Sequence, residues 1–232
     1  MKKIAIIPAR GGSKRIPKKN IKEFCGKPII AYGISEALKS EAFDEVMVST
    51  DSEEIACIAE KYGANVPFLR SINTSGDFST TAEVIFEVLD RYREINMEFE
   101  YGMCIYPTAP FVTAEKIREA MELIQNTNAK IVLPVVAFSY PPQRGYVMKN
   151  NELKMQYPEN FRVRSQDLEK IYHDAGQFFA INISKYREVN GIVVNGIIPY
   201  VLSEYEVQDI DNETDWQIAQ IKYNYLLNKN RR

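Results

Sequence analysis

Residues 4–9, Ile-Ala-Ile-Ile-Pro-Ala, form an unbroken apolar run halted by Gly11-Gly12. That is the pattern of a strand buried on both faces and feeding a glycine-rich loop. Further strands are predicted at 45–50, 66–69, 101–106 and 129–135. Helical spacing fills the intervals. One helix covers 28–38, with Pro28 near its first turn. A second is capped by Asp51 or Ser52, runs to about Tyr62 and ends at Gly63. A third opens at Ser79 or Thr80 and runs to about Ile95, and a fourth runs from a Thr113 cap to about Gln125. This alternation over residues 1–135 predicts a parallel sheet covered by helices on both faces. The rhythm changes at 138–172, which is rich in Tyr, Pro, Asn and Gln, with hairpin-like pieces at 146–148 and 153–155. We read this stretch as an inserted arm. Strands at 176–183 and 197–202 return to the main sheet, and Asp211 or Asn212 caps a last helix to about Leu227.

The 232 residues are read as one domain, 1–232, carrying that arm. A hydrophobic share of 45% supports a sizeable core and argues against disorder. No apolar run approaches the roughly 20 residues of a membrane span, and the first apolar stretch is too short for a signal sequence. Cys25, Cys57 and Cys104 are odd in number and widely spaced, which predicts neither a disulfide framework nor a CxxC metal site. The cytoplasm is the expected compartment, with no membrane partner. Charge divides unevenly: residues 1–27 hold nine basic residues and one acidic, a net +8 against −10 for the remainder. A compact basic loop on an acidic body favours a local polyanion such as a nucleotide polyphosphate. A nucleic-acid binder spreads positive charge and raises the pI, which here is about 5.7.

The loop from Arg10 to Asn20 carries that charge. Its glycines free backbone N–H groups and its cations can offset phosphate charge. It is neither a P-loop nor a GxGxxG fingerprint. Its position after the first strand matters more, because ligands of open α/β sheets collect at the carboxyl ends of strands. By charge alone, a solvated loop fits equally well. At the other end, residues 204–215 contain six acids and no base. Asp209 and Asp211, one residue apart at a strand end, can both reach one hard cation, and Mg²⁺ favours carboxylates plus substrate phosphates. The same acids also suit a helix start. His173 is the only histidine; a lone histidine is more often structural than catalytic, but its place between Tyr172 and Asp174 keeps a sugar contact or base role open. Phe178, Phe179, Cys104 and Trp216 read as packing.

Four ordered motifs carry a resemblance. Ala9-Arg10-Gly11-Gly12-Ser13-Lys14 with Pro17, Lys19 and Asn20 comes first. Arg70 with Asp77, Ser79, Thr80 and Thr81 follows, then Pro107-Thr108-Ala109-Pro110, then Asp209-Ile210-Asp211. Over nearly its whole length the chain resembles the cytidylyltransferases that activate nonulosonic acids, the CMP-sialic acid synthetase family and its relatives. The resemblance implies a Rossmann-like nucleotidyltransferase fold, a three-layer α/β/α with a mainly parallel mixed sheet. It implies that Arg10, Gly11, Ser13, Lys19 and Asn20 hold the CTP triphosphate and ribose. It implies that Arg70 and Ser79 to Thr81 surround the cytosine, and that Asp209 and Asp211 bind the metal. The sugar would meet Tyr106, Thr108, Arg164, Tyr172, His173, Asp174 and Gln177; Arg164 can pair bidentately with a sugar carboxylate, or equally form a structural salt bridge. His173-Asp174-Ala175-Gly176-Gln177-Phe178 stands where sialate synthetases usually have Asn-Gly-Ala, and Tyr106 stands where they usually have Gln. The first departure resembles the pseudaminic acid branch, and both point away from N-acetylneuraminate.

The expected reaction is CTP plus a nonulosonic acid, favouring pseudaminic acid, giving the CMP-sugar and pyrophosphate. The anomeric hydroxyl attacks the α-phosphorus in line, with Lys19, Arg10 and Mg²⁺-bound Asp211 as the catalytic groups. The arm has too little core to stand alone, and family members form dimers through such an arm, so a homodimer is expected. The alternatives are a cytidylyltransferase for N-acetylneuraminate, legionaminate or 3-deoxy-manno-octulosonate, or a nucleotide-sugar binding module without turnover.

Overall fold

A computed structural model of the chain describes residues 1–229. Strand β1 (Lys3–Pro8) leads through the basic loop to a small hairpin, β2 (Glu23–Phe24) and β3 (Lys27–Pro28), and then to helix α1 (Ile30–Ser40). Next come β4 (Glu45–Ser49), α2 (Glu53–Lys61), α3 (Thr81–Glu94), β5 (Tyr101–Ile105), α4 (Ala114–Asn126) and β6 (Ile131–Ala137). The hairpin β7 (Tyr146–Lys149) and β8 (Glu152–Met155) precedes β9 (Tyr172–Asp174) and β10 (Phe178–Asn182). Helix α5 (Ile183–Glu188), β11 (Ile197–Val201) and α6 (Glu213–Lys229) complete the order.

The main sheet runs β11-β6-β10-β5-β1-β4, with β9 also pairing β6. β1 is parallel to β4 and β5, and β11 is parallel to β6. Only β10 and β9 run against the others. This is the expected α/β architecture with a mainly parallel mixed sheet. The all-apolar first strand has a simple cause. Ala5 and Ile7 enter a core shared with Ile30 and Ile34 of α1, Ile55 of α2 and Ile117 of α4. Ile4 and Ile6 enter the opposite core, with Ile85 and Val88 of α3 and Tyr186 of α5. A strand covered on both faces has no side on which to place polar residues.

A third cluster determines where the site forms. Ile16 of the basic loop, Phe24, Tyr32 of α1, Phe111, Ile210 and Trp216 of α6 pack together, with Ile16 at 1% and Ile210 at 0% exposure. Burial of Ile210 between the exposed Asp209 and half-buried Asp211 pins the acidic segment against the basic loop. Burial of these apolar side chains helps bring the two ends of the chain together.

Three sequence expectations need correction. Residues 66–69 are not a strand. Backbone bonds join Asn65 to Val46 and Val48, and Arg70 to Thr50, but the stretch between them forms no ladder with β4. Pro67 has no N–H to offer one. Pro28 closes the β2–β3 hairpin rather than opening α1, which starts two residues later. The fifth predicted strand lies two residues further on, as β6. The helix starts fall as expected: Ser52, Thr80 and Thr113 cap α2, α3 and α4, and Thr80 forms a full capping box with Glu83. The hairpin in 138–172 also forms, turning on Asn150 and Asn151 at φ 48° and 64°, the left-handed pair a two-residue type I′ turn requires.

Candidate active site

A cleft of about 890 Å³ opens at the carboxyl ends of β1 and β5, where the fold class places ligands. Arg10, Ser13, Lys14, Arg15, Lys19 and Asn20 form one wall. Tyr106, Pro107 and Thr108 form its back, and His173 to Gly176, Val207 and Asp209 face the cations.

The basic loop is held by short local bonds. Ser13 Oγ donates to the Ile16 carbonyl at 2.6 Å, and Asn20 Nδ2 to the Arg10 carbonyl at 2.9 Å. Gly11 N–H donates to Asp51 at 2.7 Å. A Cβ at Gly11 would stand 3.2 Å from Ser52 Cβ, so glycine allows the loop to sit close against the cap of α2. Most of the +8 charge is countered by acids from elsewhere. Lys18 pairs with Glu54 at 2.7 Å, Lys22 with Glu213 at 2.8 Å and Arg15 with Asp211 at 2.7 Å.

Lys19 joins the two ends of the chain. Its Nζ donates to the Ile210 carbonyl at 2.7 Å and lies 3.9 Å from Asp211, with only 20% of its side chain exposed. Burial lowers its pKa, while Asp211 and Asp209 push it back up. Asp215 accepts from the Asp211 and Asn212 N–H groups at 2.9 and 3.0 Å, and its own N–H donates to Asn212 Oδ1 at 3.1 Å, so the α6 cap also fixes the Asp211 backbone.

On the opposite wall the antiparallel run along β6 breaks between β9 and β10. Gly176 turns the chain there at φ 63°, and its N–H donates to Asp174 at 2.8 Å. Asp174 is held above the usual carboxylate range by burial and, further, by nearby Asp209. His173 Nδ1 donates to the Asp174 carbonyl at 2.8 Å, and its ring packs 4.7 Å from Phe138. Burial pushes the Tyr106 phenol far up, so it stays neutral.

Several expected site residues lie elsewhere in the molecule. Gln177 is 1% exposed; its amide donates to the Glu206 carbonyl instead of lining the cleft. Arg164 pairs with Asp167 at 2.9 Å within the arm. Tyr172 does not line the cleft, although its neighbour His173 does. Arg70 turns onto β4, donating from Nε to Ser49 Oγ at 3.0 Å, and Ser79 to Thr81 form the α3 start. None of these four lines the cleft.

Asp77 was legible only as part of the second motif. It pairs with Arg10 at 2.7 Å and Lys14 at 2.5 Å and so holds two of the cations that face the cleft. Lys14 and then Arg10 hold its carboxyl below the usual range. The contact therefore persists at neutral and mildly acidic pH and is lost only as pH falls through that lowered value. A polyphosphate bound by these cations would have to displace it. Asp77→Asn is expected to tighten CTP binding about two- to fivefold at low salt, the scale of an exposed ion pair, and the gain should vanish at high salt. Calorimetric titration at two ionic strengths checks this; equal affinities at low salt would exclude competition by Asp77.

Among the described residues, no three His, Cys, Asp or Glu side chains converge as a preformed metal cage. The donor set is still a hard one. Among the described residues Asp209 forms no ion pair, and its charge adds to the burial that holds Asp174 above the usual carboxylate range, so added positive charge would relieve the pair. A small divalent cation that takes one or two carboxylates and completes its shell with substrate phosphates fits such a site.

A family model described as Cytidylyltransferase matches residues 4–189. The chain is 40% identical over 224 residues to the pseudaminic acid cytidylyltransferase of Campylobacter jejuni, covering 96% of this chain and 97% of that one. It is 36% identical over 230 residues to the CMP-N,N′-diacetyllegionaminic acid synthase of Legionella pneumophila, covering 95% of each. Among solved structures, a CMP:2-keto-3-deoxy-manno-octonic acid synthetase complexed with CTP gives a TM-score of 0.71 at 15% identity. That likeness of fold covers 97% of this chain and 99% of the other.

Proposed function

The chain belongs to the cytidylyltransferase family, and from that premise we propose that it couples CTP to a nonulosonic acid, pseudaminic acid, releasing pyrophosphate. It is a nucleotidyltransferase. One observation carries the reading: Lys19, which lines the cleft with Asp209, reaches the Ile210 carbonyl and lies 3.9 Å from Asp211, so the cationic loop and the acidic segment meet at one cleft. The choice of sugar rests on the His173-Asp174-Ala175-Gly176 wall and on the 40% identity to a pseudaminic acid enzyme.

In this reading Arg10, Lys14 and Arg15 bind the triphosphate, and Lys19 lies where charge builds on the departing pyrophosphate. Such transfer depends mainly on positioning and electrostatics. Thr108 and His173 Nε2 offer hydrogen-bonding groups to the sugar. Asp209 and Asp211 are the residues that would hold Mg²⁺ with the phosphates, and the ion would supply Lewis-acid charge neutralisation. Pyrophosphate release from CTP with a panel of pseudaminic, legionaminic, N-acetylneuraminic and 3-deoxy-manno-octulosonic acids tests the reading. A preference for another acid would replace the sugar; CTP binding without release under any acid would favour a binding module.

The arm supports a homodimer. Tyr146, Met148, Leu153 and Phe161 are each more than half exposed on it, and clustered exposed apolar side chains mark interaction surfaces. We expect a dimer by light scattering that dissociates when Met148 and Leu153 are both replaced by Asp; a monomeric parent protein would remove the proposal.

No helix among the described residues is long and apolar enough to cross a membrane.

A further inference from the structure

Lys116 is a buried lysine in an unfavourable place. It stands in the first turn of α4, where the helix dipole disfavours a cation, and only 11% of its side chain is exposed. Its Nζ donates to the Phe111 carbonyl at 3.0 Å and pairs with Glu206 at 2.8 Å. With Lys116 these two partners line a second pocket, and each adjoins a stretch of chain that lines the cleft. Phe111 follows Pro107 and Thr108, which line the back; Glu206 precedes Val207 and Asp209, which line the acidic side.

The same residue is gripped a second time. The Gln177 amide donates to the Glu206 carbonyl, and the Gln177 carbonyl accepts from Tyr106 N–H at 2.8 Å, at the end of β5. Lys222 of α6 adds a bond to the Val207 carbonyl at 2.7 Å. Lys116, Gln177 and Lys222 therefore all approach residues 206 and 207 from behind the cleft, while Lys19 holds residue 210 from within it. A lone ion pair serving stability alone needs no such convergence, and a buried pair is by itself a weak stabiliser.

We propose that Lys116 is a positioning residue: through Glu206 it sets the distance of Asp209 from the Thr108 wall, and so the alignment of sugar and α-phosphorus. This rests on the nucleotidyltransferase reading above. Displacement by about 1 Å costs about 10²-fold in rate in such alignments. Lys116→Met and Glu206→Gln should therefore each lower kcat about 10- to 100-fold, with the KM for CTP within twofold, because the basic loop is untouched. The double variant should be no worse than the poorer single one. Lys116→Arg should recover part of the loss. Hydrogen exchange of residues 207–211 should quicken in both single variants, with and without CTP. Unchanged kcat, or a KM for CTP that rises in step with the fall in kcat, would reduce Lys116 to a structural ion pair. Should Lys116→Met not fold, the partly exposed Glu206→Gln decides the matter by the same criteria. If the parent protein turns over no sugar acid, the functional reading fails. The brace then stands or falls on whether exchange at 207–211 quickens while CTP affinity holds.

Discussion

Asp209→Asn is expected to cut kcat by about 10³ or more while CTP affinity changes only a few-fold. Asp209 lines the cleft, free of the ion pairs that Asp211 makes with Arg15 and Lys19. Its charge is thus available to hold the phosphates' counter-ion, a contribution of several kcal/mol to the transition state. Nucleotide affinity should largely survive because Arg10, Lys14, Arg15 and Lys19 remain. Asp211→Asn should cost less, since much of that carboxylate's work in the structure is to neutralise Arg15. Single-turnover pyrophosphate release and calorimetric CTP binding separate the two effects. Near-normal turnover of Asp209→Asn would dismiss the residue from the chemistry.

Lys19→Met should lose about 10²–10³ in kcat, the scale for removing one preorganised donor from a developing charge. It should also weaken CTP binding, which distinguishes it from Asp209→Asn. The substitution leaves Asp211 facing Arg15 alone and frees the Ile210 carbonyl, so the acidic segment loses one of its ties to the basic loop. Lys19→Arg tests the geometry, because a planar guanidinium cannot reproduce a point charge at this depth. Full activity in Lys19→Arg together with inactivity in Lys19→Met would reduce the requirement to charge alone. Full activity in Lys19→Met would overturn the role.

How much of this was legible beforehand varies along the chain. The caps at Ser52, Thr80 and Thr113 were readable because capping is a local hydrogen bond written within four residues. The basic loop and Asp209-Ile210-Asp211 were readable as charge patterns, although neither pattern alone says that they meet. Residues 66–69 misled because their apolar run resembles a strand until Pro67 is weighed. Gln177 and Arg164 could not be placed, because whether a polar side chain faces a cleft or a neighbouring carbonyl depends on partners far away in sequence.

The order of amino acids by itself determined the strand-and-helix alternation, the two-sided burial of β1 and the chemical identity of the cations and carboxylates. Those follow from side-chain period and from interactions spanning a few residues. Only the tertiary structure decided that Ile16 and Ile210 share a core, that β10 runs antiparallel between β5 and β6, and that Lys116 ties Glu206 to the Phe111 carbonyl. Contacts across such long separations arise from packing the whole sheet and its covering helices at once, and no local pattern encodes them.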